Sequence, residues 1–135
     1  MATVTCFEEL EIWKKALDLG SLIYELCDTN AKISKDFTFK DQIKRAALSI
    51  SNNIAEGFEY SNNNDFGRFL RIAKGSCGEV QSCLHFSVRV KYAAMMETTN
   101  MIQFAKTLGK QIGNLMQYLK KNKAEQTKTN KTRNS

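Results

Sequence analysis

The chain has 135 residues, of which 42% are hydrophobic and 25% charged, with a formal net charge of +6, seven glycines and no proline. That length suits one domain with one core, and the lack of proline favours helices over a turn-rich β architecture. No run of about 18 apolar residues is present to span a membrane, and no cationic segment followed by an apolar run marks a secretory signal, so the expected location is the cytoplasm and the expected partners exclude a membrane.

Helical periodicity predicts four segments. The first covers residues 7–27 and carries two seams with steps of three and four: Leu10, Trp13, Leu17, Gly20, Tyr24 and Cys27 form one, and Ile12, Ala16, Leu19, Ile23 and Leu26 the other. The seams lie about 100° apart on the helix surface. One can face the bundle while the other faces another helix or subunit, and the sequence does not choose between them. Residues 28–37 read as a polar linker.

The second helix is expected to begin near Thr38, which with Asp41 three residues later resembles a capping box. It runs to about Phe58, with Ile43, Ala46, Ala47, Ile50 and Ile54 inward and Gly57 as its stop. Ala46, Ala47, Ser49, Ser51 and Ala55 are small enough for a second helix to approach closely. The stretch 61–65 is rich in capping residues and opens a third helix over 64–91, whose stripe includes Leu70, Ala73, Cys77, Val80 and Leu84. Gly67, Gly75 and Gly78 each cost about 1 kcal/mol in a helix interior, which close packing against the second helix would explain. The fourth helix is expected over 98–121. Short connections then give an all-α, up-down-up-down four-helix bundle over 1–121. Residues 120–135 hold six basic residues against Glu125 alone, so 122–135 read as a basic, disordered tail or a polyanion-binding arm.

Motifs for catalysis or metal binding are missing. The four cysteines lack CxxC spacing, and His85 is the only histidine, so neither a zinc site nor a di-iron Glu-x-x-His pair is expected. Cys27, Cys77 and Cys83 read as small core residues. No nucleophile elbow, Walker loop or dinucleotide fingerprint occurs, and no cofactor or enzymatic activity is expected. Glu56 and Glu79 read as structural carboxylates. Cations are more informative. Folding the second and third helices as a hairpin about residue 60 sets position 45 opposite about position 75. Lys44, Arg45, Arg68, Arg71 and Lys74 then form one candidate nucleic-acid-binding patch. Its competing reading is a solvated face paired with Asp41, Asp65 or Glu79. Phe66 and Phe69 are expected to be buried, leaving no aromatic to stack bases and implying backbone contacts alone.

The segments Gln42-Ile43-Lys44-Arg45-Ala46-Ala47, Ser49-Ile50 and Asn53-Ile54-Ala55-Glu56-Gly57 resemble the 23S ribosomal RNA intervening-sequence protein family. Arg68-Phe69-Leu70, Ile72-Ala73, Gly75-Ser76, Glu79 and the opening Leu10-Glu11-Ile12-Trp13-Lys14-Lys15-Ala16 continue the likeness. It extends over about residues 7–119; Ser51 stands where the family usually has proline, so a weaker helix kink is expected. The resemblance implies a basic homopentameric ring without established enzymatic activity. It also implies RNA or DNA, or the reverse transcriptase of a retroelement, as partners. From another class, the alternative is a protein-interaction scaffold that does not bind nucleic acid.

Overall fold

The computed structural model describes residues 3–133, with side chains described over 3–122. The tail expected over 122–135 therefore falls, from residue 123 onward, outside the described side chains. Five α-helices follow a short 3-10 turn at Phe7–Glu9: α1 Glu11–Thr29, α2 Ala31–Lys35, α3 Phe37–Glu59, α4 Asn63–Arg89 and α5 Met95–Arg133. No strand occurs among the described residues.

Helix α2 occupies the expected linker. Asn30 makes it, because its Oδ1 accepts from the N–H groups of Lys32 and Ile33, and Ile33 then buries completely. The cap of α3 is Asp36 instead of Thr38: its Oδ1 accepts from the Phe39 N–H at 3.1 Å and its Oδ2 accepts from the Tyr92 hydroxyl at 2.9 Å. Asn30 also donates to the Tyr92 carbonyl. One polar staple thus ties the start of α3 to the α4–α5 connection.

Gly57 does not stop α3. It is buried inside the helix, and a Cβ there would stand 2.6 Å from the Cβ of Phe69. The turn comes later, where Ser61 takes a left-handed φ of 59° and Asn62 caps α4 by accepting from the Asp65 N–H at 2.8 Å. Ser51, at the family's proline position, is buried, donates to the Leu48 carbonyl and leaves α3 helical throughout.

The seams of α1 are distinguished at mid-helix. Ala16, Leu19, Ile23 and Leu26 are buried in the core; in the other seam Cys27 is buried and Leu10 and Trp13 pack against the core, but Leu17 and Tyr24 stay 45% and 38% exposed. The centre of the core gathers Ile43, Ile50 and Ile54 of α3, Leu70, Val80 and Leu84 of α4, and Leu108 and Ile112 of α5, all at or near zero exposure. Such side chains each contribute about 1.5–3 kcal/mol on burial.

Pairings across the helices set the register. Gly57 meets Phe69, Ser49 meets Ser76 and Gln42 meets Glu79, so α3 and α4 pass each other in opposite senses. Cys77 meets Gly109 and Lys74 meets Gly113 in the same manner between α4 and α5. Among the described residues no helix is long and apolar enough to cross a membrane.

Candidate nucleic-acid interface

A groove of about 810 Å³ runs between α4 and α5. Its cationic side chains are Arg68, Arg71 and Lys74 of α4 and Lys110 and Lys120 of α5, with Asn63, Asn114 and Gln117 among its amides. No carboxylate lines it among the described residues. Gly113 gives the Lys74 side chain room in the groove: the end of that side chain passes over the glycine, and its Nζ would stand 3.2 Å from a Cβ there. The register places Lys110 near the level of Cys77 and Lys120 near Gly67, so the two α5 cations flank the three α4 cations along one channel. A smaller cleft of about 450 Å³ between α1 and α5 carries Lys15 with Asp18 and so lacks this single sign.

The five residues expected to form one patch therefore divide. Arg68, Arg71 and Lys74 share the groove; Lys44 and Arg45 are not among its lining. Lys44 leans toward α1, with its Nζ 4.6 Å from the centroid of the Tyr24 ring. Arg45 donates to Asp41 Oδ2 at 2.9 Å one turn away. At position 42, on the α4-facing side of α3, stands Gln42, which donates to Glu79 at 2.7 Å. Two of the anticipated ion pairs are present, Arg45 with Asp41 and Arg68 with Asp65 at 3.1 Å. Both are mostly solvent-exposed, contribute at most about 1 kcal/mol, and leave each guanidinium able to exchange its carboxylate for a phosphate.

Hairpin counting about residue 60 misses Lys110 and Lys120. Counting about the second connection, near residue 93, places them beside α4. Gly67, Gly75 and Gly78 also differ from expectation: a Cβ at any of them meets nothing within 4 Å, so close packing does not explain them. Ser76 faces α3 instead, its Oγ donating to Ser49 Oγ at 2.8 Å. Phe69 is half-buried, not enclosed, with the Arg68 guanidinium carbon 5.4 Å from its ring centroid.

All four cysteines are free, with Cys27 and Cys77 buried and Cys6 and Cys83 half-buried. Burial pushes the Cys77 thiol up to about 12 and raises those of Cys27 and Cys83, which opposes the thiolate form that nucleophilic or metal chemistry needs. No cluster of three or more His, Cys, Asp or Glu side chains is placed to hold a metal ion among the described residues.

Residues 8–114 match the family model described as 23S rRNA-intervening sequence protein. No curated protein matches the sequence. A crystal structure from Bacteroides thetaiotaomicron, of a protein of unknown function from the S23 ribosomal protein family, is similar to this fold. It superposes with a TM-score of 0.73 at 23% identity, covering 78% of this chain and 97% of that one.

Proposed function

The chain belongs to the 23S rRNA-intervening sequence protein family, and from that premise we propose that it is a non-catalytic nucleic-acid-binding accessory protein. The observation that carries this reading is the single-sign groove between α4 and α5, where five cations from two helices converge without a carboxylate in the lining. Backbone phosphates are its natural ligands, since guanidinium and ammonium groups at this spacing bind charge without reading sequence. Affinity measured for RNA and DNA oligonucleotides at increasing salt tests it. Log affinity is expected to fall linearly with log salt, with a slope of about 3–5 for five neutralised phosphates. Absence of binding at low salt overturns the reading.

Self-association as an up-down-up-down bundle in a homopentameric ring is part of the same proposal. The number five rests on the family resemblance. Support for a self-contact comes from the strip of Leu17, Tyr24 and Leu48, which are 45%, 38% and 50% exposed on α1 and α3. Sedimentation is expected to give five times the 15.3 kDa protomer mass. Leu17→Glu with Leu48→Glu is expected to yield a helical protomer. Leu19, at 0% exposure, is a core residue, and a charge there would unfold the chain instead of parting subunits. The same strip favours the second reading, a protein-interaction scaffold. A reverse transcriptase is one partner it could receive.

A further inference from the structure

Two aromatic rings stack, with an arginine over one of them, where the α3–α4 turn meets the end of the groove. The Tyr60 and Phe69 rings have centroids 5.2 Å apart and planes 12° apart. Arg68 covers Phe69 as well, its guanidinium carbon 5.4 Å from the ring centroid. Arg68 also lines the groove, so stack and groove are continuous through one residue. A stack that only sealed the core would end on Phe69. This one continues outward to Tyr60, whose surface is 50% exposed at the C-terminal end of α3.

We propose that Tyr60, Phe69 and Arg68 form a base-stacking platform that makes the groove selective for single-stranded nucleic acid over duplex. The proposal rests on the reading of the groove as a phosphate-binding surface and names the class of strand it takes. Aromatic rings and guanidinium planes stack any base, which suits a site with no sequence readout. Bases in a duplex already have both faces covered, so the platform gains nothing from them. Shape acts in the same direction. From Asn63 to Lys74 the α4 wall rises about 16 Å. A groove between two helices packed in contact takes a single sugar-phosphate strand along its floor, while the wider duplex would have to ride above it. Asn63 and Gln117 line the same channel and offer amide donors to sugar and phosphate oxygens.

Titration of the full chain with a labelled homopyrimidine single strand, its duplex and inorganic polyphosphate, each over a range of salt, tests the platform. The native protein is expected to bind the single strand more tightly than the duplex. Tyr60→Ala is expected to weaken single-strand binding by about 5-fold or more. The salt slope and polyphosphate affinity should not change, because a stacked base releases no counterions. Tyr60→Phe is expected to bind as the native protein does. Equal native affinity for single strand and duplex overturns the platform while leaving the groove standing, and so does a Tyr60→Ala loss as large for polyphosphate as for the single strand. Failure of the native protein to bind all three probes overturns the groove itself. If Tyr60→Ala loses its helical circular dichroism, the native single-strand and duplex affinities decide: a single-strand preference supports the platform and its absence overturns it.

Discussion

Toward α3, helix α4 presents Phe69 pressed on Gly57 and Ser76 hydrogen-bonded to Ser49; toward α5 it presents Arg71, Lys74 and a channel of about 810 Å³. Small residues, Gly57 and the Ser49–Ser76 pair, bring the two helices close in the first contact. Glycine at 113 serves differently in the second, because the space beside it is taken by the end of the Lys74 side chain, ammonium group included. The same helix can therefore serve as a packing element on one side and as a wall of a cationic channel on the other. What decides is which side chains the neighbouring helix offers at each level.

The closed side can be broken most severely at its tightest point. Gly57→Ala places a Cβ 2.6 Å from Phe69 Cβ. It is expected to lower unfolding free energy in urea by about 1–3 kcal/mol, despite the better helix propensity of alanine. Unchanged stability would mean that the two helices can part at no cost. Ser76→Ala removes the hydrogen bond to Ser49 and should lower stability by about 0.5–1.5 kcal/mol in the same measurement. Asn53 still donates to Ser49, which limits the loss.

Gly75 lies one residue away but faces open space, with nothing within 4 Å of its would-be Cβ. Gly75→Ala should therefore stabilise the protein by up to about 1 kcal/mol. A loss of stability would place a further contact on that face.

The smallest effect is expected beyond both faces, at the staple between Asp36 and Tyr92. The Phe39 N–H and the Tyr92 hydroxyl hold the Asp36 carboxyl below its ordinary range, and Asp36 raises the Tyr92 hydroxyl in turn. A lowered carboxyl stabilises the fold above its unfolded value of about 3.9, and that contribution is lost as pH falls through the lower folded value. Tyr92 contributes below its unfolded value of about 10, and its share is lost as pH rises through the raised folded value. Thermal unfolding of Asp36→Asn should thus show a shallower loss of stability below about pH 4 than the native protein.

Periodicity makes the long helices legible, because buried positions such as Ile43, Ile50, Leu70, Val80 and Ile112 repeat over many turns. Five residues are too few to repeat, which hides α2 behind its cap at Asn30. Gly57 looks like a stop because glycine commonly ends helices, and only the proximity of Phe69 reveals its packing role. The choice between the α1 seams depends on what the other helices leave room for, which no single segment records. Level along the hairpin groups Lys44 and Arg45 with Arg71. Their angular positions differ, since Lys44 turns to Tyr24 while Arg71 turns to α5. Level alone cannot separate residues that share a height on opposite sides of a bundle.

That separation offers the most direct measurement. Arg71→Glu with Lys110→Glu reverses two charges inside the groove, and Lys44→Glu with Arg45→Glu reverses two outside it. Both pairs change net charge equally, so a general electrostatic effect would weaken binding equally. For single-stranded RNA at low salt, the groove pair is expected to lose affinity by about 10-fold or more and to lower the salt slope by about 2, while the outer pair keeps both near the native values. Equal losses for the two pairs, or a larger loss for the outer pair, would contradict the assignment of binding to the α4–α5 groove.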